Sequence, residues 1–256
     1  MQKKDITNTQ NTILFLLYKF RFLHTHQFQK LLNHKNHTRI NTWLTELTEK
    51  EYLQRYYDKQ TIIKKPAVYT LTKKARKLLK STNSYSLAIL NKIYREKHRS
   101  QTFIDHCLLI ADVYLTLLSQ KKHDETITFE TKNTLTDYDY FPQDILDAYI
   151  AIKRPQGIKR CFTTIIDPTP RLYIAKGIVR QYFAYCQSSE WEESTDKPFP
   201  SMLLICPDEK VKRMLTYYIA KILNEEQADI KFYLSTAEEV QKRGFVNITT
   251  AVASLG

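Results

Sequence analysis

The stretch THQFQKLLNHKNHTRINTWLTEL, residues 25–47, decides how the first part of the chain folds. Phe28, Leu31 and Leu32 fall on one side of a short helix over His26 to Leu32, with Thr25 as its expected N-cap. Asn33 to His37 is polar and reads as a loop. Thr38 then opens a second helix in which Ile40, Leu44 and Leu47 recur at i, i+4 and i+7, the spacing that turns one face toward a core. Its opposite face carries Arg39, Asn41, Thr42 and Thr45. These side-chain types bond base edges or phosphate oxygens when a helix lies in the major groove of a duplex.

Working outward, Asn8 to Phe22 places Ile13, Leu14, Leu17 and Phe20 on one helical face after a polar lead-in. On the other side, Leu53 to Tyr57 and Ala67 to Leu71 are β-prone segments, and Asp58 to Pro66 joins them through Lys59, Lys64 and Lys65, so a hairpin with a basic tip is expected. Lys73 to Lys80 reads as a closing helix. Three helices, a hairpin and a further helix make a winged helix-turn-helix over residues 1–80. The expected DNA-binding residues are Lys35, Asn36, His37, Thr38, Arg39, Asn41, Thr42 and Thr45 around the third helix, with Lys59, Lys64 and Lys65 on the wing.

Charge supports this reading. Residues 1–80 hold 17 Lys and Arg against 5 Asp and Glu, whereas residues 81–256 hold 22 of each, so the whole net charge of +12 lies in the first part. A compact segment this positive attracts a polyanion, because each phosphate it neutralises releases a condensed counterion.

Other classes are set aside by composition. Only 4 glycines occur in 256 residues, and no glycine-rich phosphate loop is present. The four cysteines, Cys107, Cys161, Cys186 and Cys206, lack the paired spacing of a zinc ribbon and read as reduced thiols. His24, His26, His34 and His37 cluster in sequence, but no cysteine or carboxylate group accompanies them, and polar loop residues near phosphate are expected rather than metal ligands. The apolar run Ile13 to Tyr18 is interrupted by Lys19 and Arg21, and no stretch of about 18 apolar residues is expected to cross a membrane. A soluble, cytoplasmic protein without cofactor is the expectation.

Ser81 to Ser86 is rich in Ser, Thr and Asn and reads as a linker to a second domain over residues 87–256. There Leu87 to Lys97 and Gln101 to Ser119 have helical patterns, and Ile127 to Lys132, Leu146 to Ile152 and Cys161 to Ile166 are strand candidates. Arg154-Pro-Gln-Gly157 has the composition of a hairpin turn. A helix over Tyr173 to Cys186, a strand over Met202 to Ile205, a helix over Glu209 to Leu223 and a strand over Ile230 to Leu234 complete the order α, β, β, β, α, β, α, β. Ser188 to Pro200, with its four acidic residues, reads as a surface loop. The uncharged end, Gly244 to Gly256, is expected to pack on this domain or to serve a partner. The fold class expected is α+β, a winged helix-turn-helix followed by an α/β domain whose element order matches restriction-endonuclease-like folds.

The chain resembles the replication-relaxation family of plasmids and conjugative elements over about residues 10–235. The resemblance rests on the winged-helix pattern closed by Tyr69-Thr-Leu-Thr-Lys-Lys-Ala-Arg-Lys-Leu-Leu79, and on His106-Cys-Leu-Leu-Ile-Ala-Asp-Val-Tyr114. It also rests on Leu146-Asp-Ala-Tyr149, where the family tends to show Pro-Asp-Ala, and on Thr164-Ile-Ile-Asp167, where it tends to show a Glu-x-Asp strand end. The resemblance implies a nuclease-like second domain. A nuclease of that fold holds Mg²⁺ through at least two carboxylates, usually with a lysine. Asp147 and Asp167 are the candidates for catalytic residues, but Ile165 stands at the position of the family's Glu, and Pro168, Thr169 and Pro170 supply no lysine. A catalytically degenerate scaffold is therefore expected, used for dimerisation, partner docking or an extra DNA contact.

Three functions follow as expectations. The leading one is a sequence-specific, double-stranded-DNA-binding accessory protein of a mobile element, acting as a homodimer at a replication or transfer origin or a promoter, with relaxase or replication proteins as partners and no membrane. The alternatives are a Mg²⁺-dependent nuclease or nickase using Asp147 and Asp167, and a ligand-responsive transcription regulator.

Overall fold

The computed structural model describes residues 6–56, 66–82, 85–93, 96–168, 171–226, 229–243 and 252. It is an α+β protein with two sheets that divides into two compact units, Met1–Leu115 and Thr116–Gly256. The division falls inside a helix, later than the Ser81 to Ser86 segment.

Unit 1 begins with α1 (Asn8–Phe20), whose start is fixed by a reciprocal capping box between Thr7 and Gln10. A two-residue strand β1 (Leu23–His24) leads into α2 (Thr25–Leu31), and a polar turn leads into α3 (His37–Glu49). Strands β2 (Leu53–Tyr56) and β3 (Val68–Leu71) follow, then α4 (Lys73–Lys80), which Thr72 caps through the N–H of Ala75. The sheet order is β1-β3-β2, antiparallel throughout, with Leu23 opposite Tyr69 and Leu53 opposite Leu71. The short β1 was not legible in the sequence, because two residues carry no periodicity. The cap positions also differ from expectation. His24 caps α2 in place of Thr25, and Asn36 caps α3 in place of Thr38.

The residues beyond α4 belong with this unit because of what they bury. A short helix α5 (Leu87–Ile93), a 3₁₀ turn (Glu96–His98) and most of α6 (Gln101–Ser119) lie within it. Phe22 packs with Ile104 and Cys107, and its ring meets Phe103 edge to face at 6.2 Å. Arg21, held at a left-handed φ of 69° at the end of α1, donates through Nε to Glu96 Oε1 at 2.9 Å and lies 4.4 Å from the centre of the Phe103 ring. Helix α6 is long and apolar enough to cross a membrane by length and composition alone, a test that the core helix of a soluble protein also passes. Ile104, Cys107, Ala111 and Val113 are buried, while Asp112 accepts a hydrogen bond from the Gln27 amide on α2.

Unit 2 is a five-stranded sheet of order β4-β5-β6-β7-β8. Strands β4 (Thr126–Thr131), β5 (Ala148–Arg154) and β6 (Gly157–Ile165) are antiparallel, and Arg154 to Gly157 forms the tight hairpin, with Gly157 at φ 141° where a side chain would be strained. Helix α7 (Leu172–Gln187) and a short α8 (Glu190–Thr195) carry the chain to β7 (Ser201–Cys206), which runs parallel to β6. Helix α9 (Glu209–Glu226) leads to β8 (Phe232–Thr236), parallel to β7, and α10 (Ala237–Arg243) follows. Val179, Tyr182 and Phe183 of α7 and Leu215, Ile219 and Leu223 of α9 share one core with Phe162, Met202, Leu204 and Phe232 of the sheet.

The acidic segment after α7 is a correction. Its residues Glu190 to Thr195 form α8, and Trp191 is 2% exposed in an aromatic cluster with Phe141, Tyr149 and Phe162, its indole N–H donating to the Pro198 carbonyl at 3.1 Å. Four carboxylates around a single tryptophan masked this inward anchor. At the far end, the Val252 N–H bonds the Phe232 carbonyl at 2.8 Å and its side chain packs on the same core; the rest of Gly244 to Gly256 lies outside the described residues.

Candidate nucleic-acid interface

Helix α3 is held against unit 1 by its apolar stripe, since Ile40, Leu44 and Leu47 are fully buried. A polar tie adds direction: the Gln10 amide on α1 donates to Glu46 of α3 at 2.7 Å. With those residues facing inward, the 3.6-residue period forces Thr38, Arg39, Thr42 and Thr45 outward, and all four are exposed. Asn41 is half-buried at the edge of that face.

The connection from α2 to α3 is ordered by its own polar groups. Asn33 adopts a left-handed φ of 48°, a conformation Asn tolerates better than most residues. The His34 N–H bonds the Gln29 carbonyl at 3.1 Å, and His34 Nδ1 receives the Asn36 N–H at 3.2 Å. Asn36 Oδ1 in turn accepts the Arg39 N–H at 3.1 Å, satisfying one of the donors that a helix start leaves orphaned. Lys35, Asn36 and His37 are exposed on this turn.

Within the outward face, Asn41 Nδ2 lies 3.2 Å from His37 Nδ1, and the Thr42 hydroxyl donates to the Thr38 carbonyl at 3.1 Å. Thr42 therefore has its oxygen lone pairs, more than its proton, to offer a ligand. The guanidinium of Arg39 stands 5.4 Å from the centre of the Trp43 ring, and the His34 ring meets the same indole edge to face at 5.1 Å. Trp43 is the residue that sequence reasoning missed. Its four-residue offset from Arg39 was the available signal, because i and i+4 side chains are neighbours on a helix.

The histidines divide in role. His24 Nδ1 accepts the Gln27 N–H at 3.2 Å while Gln27 Oε1 accepts the His24 N–H at 3.1 Å, so this imidazole is a helix cap that must keep a lone pair. Burial pushes its pKa below the usual 6.5, against the opposing pull of Asp112. The rings of His24, His26 and His37 run in series at 5.8 and 6.1 Å between centres. Among the described residues, no three His, Cys, Asp or Glu side chains are grouped so as to hold a metal ion. Lys59, Lys64 and Lys65 lie outside the described residues.

The two carboxylates of unit 2 sit in different surroundings. Asp147, immediately before β5, is buried, and its Oδ2 accepts the Ile165 N–H at 2.9 Å while Lys132 Nζ stands 3.6 Å from Oδ1. It ties the end of β6 to the start of β5. Asp167 is half-exposed, two residues beyond the end of β6. The Ile165 side chain is buried.

A family model described as replication-relaxation matches residues 14–152, from within α1 to within β5. This chain belongs to the replication-relaxation family. The matched segment takes in the whole α2–turn–α3 surface and Asp147, and stops short of Asp167. Family membership points to a role in plasmid replication or related processes of mobile elements. Neither the curated proteins nor the solved structures yield a match to the chain.

Proposed function

We propose that this replication-relaxation family member is a sequence-specific, duplex-DNA-binding accessory protein of a mobile genetic element, acting at its replication or transfer origin or in its transcriptional control. Unit 1 serves as a winged helix-turn-helix whose α3 enters the major groove. Arg39, Asn41, Thr42 and Thr45 read base edges, while Lys35 and the wing lysines Lys59, Lys64 and Lys65 neutralise phosphates. The observation that carries this reading is the exposed cationic and polar face of α3, ordered by the Asn36 cap and Trp43, in the part of the chain that holds all of the net charge. The antiparallel order β1-β3-β2 supports it, since it sets the β2–β3 hairpin beside the three helices as a wing requires.

Unit 2 serves as a nuclease-like scaffold without cleavage activity. Supporting this is the apolar, buried Ile165 where the family tends to carry a ligating carboxylate, and the structural tie that Asp147 makes by accepting the Ile165 N–H. The protein acts in the cytoplasm as a homodimer on paired half-sites, because two-fold protein symmetry matches two-fold operator symmetry. Selection of bound duplexes from a random pool tests the function. A single enriched motif, recurring near the element's origin or promoters, is expected; enrichment of no motif contradicts it. Retention of supercoiled plasmid on incubation with Mg²⁺ or Mn²⁺ is expected as well, and nicking that disappears in Asp147→Ala contradicts the non-catalytic reading.

A further inference from the structure

Unit 2 carries a charged groove that the reading above leaves unused. Helices α7 and α9 pack side by side through Val179, Phe183, Leu215 and Ile219, and between their outer faces lies a cleft of about 970 Å³. Lys176 and Arg180 line it from α7, and Lys210, Arg213 and Lys221 from α9. The acidic lining residues, Glu225 and Glu226, sit together at the C-terminal end of α9, and Glu225 is the partner of Lys221 at 3.6 Å. Among the described residues, Lys176, Arg180, Lys210 and Arg213 have no carboxylate at ion-pair distance. Unit 2 is thus locally cationic although the charge of residues 81–256 cancels.

Aromatic surface accompanies the cations. Tyr217 is 66% exposed in the lining, and Met214 beside it is exposed as well. Lys176 Nζ and the Arg180 guanidinium stand 4.8 and 5.8 Å from the ring centre of Tyr218, whose hydroxyl is buried without a hydrogen-bond partner among the described residues. Helical spacing orders these groups: Lys210, Arg213, Tyr217 and Lys221 form one stripe along α9, and Lys176 and Arg180 form its counterpart on α7. A positively charged track with exposed rings is how proteins hold single strands, because phosphates pair with the cations while bases stack on aromatic faces.

We propose that the α7–α9 groove binds single-stranded nucleic acid, with Lys176, Arg180, Lys210 and Arg213 on phosphates and Tyr217 under a base. The exposed Tyr217 ring favours a single strand, whose unstacked bases offer faces that the stacked bases of a duplex do not. Length fits too: Lys210 to Lys221 extends about 16 Å at 1.5 Å per residue, enough to follow a short run of backbone phosphates. This site is independent of α3, so the protein would hold a duplex and a separated strand through different surfaces.

The test uses the full chain and a labelled oligothymidylate of about 15 nucleotides, read by fluorescence anisotropy over a salt series. Binding is expected, with Arg180→Glu/Arg213→Glu weakening it at least about tenfold and flattening the logarithmic salt slope by about 0.7 for each phosphate contact removed. Tyr217→Ala is expected to weaken it about fivefold or more, and Tyr217→Phe to restore it. All three exchanged positions are exposed, and unchanged thermal unfolding and unchanged binding to the selected duplex identify a local effect. Binding that the charge reversal does not alter, or preference for poly-glutamate over oligothymidylate, overturns the proposal. Loss of duplex binding alone, with oligothymidylate binding intact, leaves this groove standing and removes the α3 reading.

Discussion

The guanidinium of Arg39 lies over the ring of Trp43, 5.4 Å from its centre, one helical turn away on the exposed side of α3. A long arginine chain is costly to order on binding, and an aromatic surface beneath it reduces that cost by confining the guanidinium beforehand. Arginine is also the side chain that stacks on an indole and pairs in bidentate fashion with guanine, which lysine does not do.

Trp43→Ala is therefore expected to weaken specific duplex binding about three- to thirtyfold while lowering stability only moderately, because the indole is half-buried rather than a core anchor. Trp43→Phe should recover most of the affinity. Anisotropy titration with the selected duplex, alongside thermal unfolding, separates the two effects; an unchanged affinity in Trp43→Ala removes the positioning role.

Protonation of His24 should loosen the start of α2. Its folded-state pKa lies below 6.5 because burial penalises the cation, so between the folded and unfolded values the unfolded chain binds more protons. Stability is then complete above about pH 6.5 and is lost as pH falls through the folded pKa. His24→Asn keeps a capping acceptor that does not titrate in this range. Denaturation of unit 1 between about pH 7 and pH 5 is expected to show a smaller loss in His24→Asn than in the parent; equal losses contradict the assignment.

The buried pair of Arg21 and Glu96 joins the end of α1 to the 3₁₀ turn before α6. Burial raises the Glu96 carboxyl above its ordinary pKa and Arg21 opposes that rise, so neither charge is comfortable without the other. Removing one partner strands a buried charge at a cost of about 3–5 kcal/mol. Glu96→Ala is expected to fall in that range by chemical denaturation, and Arg21→Met/Glu96→Leu to lose clearly less than the single variants sum to. Additive losses would show that the pair is not coupled.

Much of the fold is legible in the amino-acid sequence. Helices α1, α3 and α6 follow from apolar residues repeating at helical spacing, and the β5–β6 hairpin from Arg154 to Gly157. What sequence reading missed has local causes. His24 caps α2 although histidine is not a favoured cap, so Thr25 drew the assignment; Thr25 instead lies buried in the first turn, its N–H bonded to the Ala67 carbonyl. Asn36 and Thr38 were both acceptable caps by chemistry, and only the bond from the Arg39 N–H distinguishes them. Trp191 was hidden because a lone inward residue among acids has no period. At the interface, the outward residues of α3 were readable from the stripe Ile40, Leu44, Leu47, whereas the Trp43 platform needed the rotamer and the α7–α9 groove needed two distant helices brought side by side.

Comparison of Arg39→Ala with the parent on a selected duplex and on a scrambled one, at a single salt concentration, addresses the base-reading role of α3 most directly. The account predicts a loss of about 1–3 kcal/mol on the selected site with a much smaller change on the scrambled duplex, so that discrimination between the two shrinks. Equal weakening on both, or no weakening on either, would contradict the claim that α3 reads sequence.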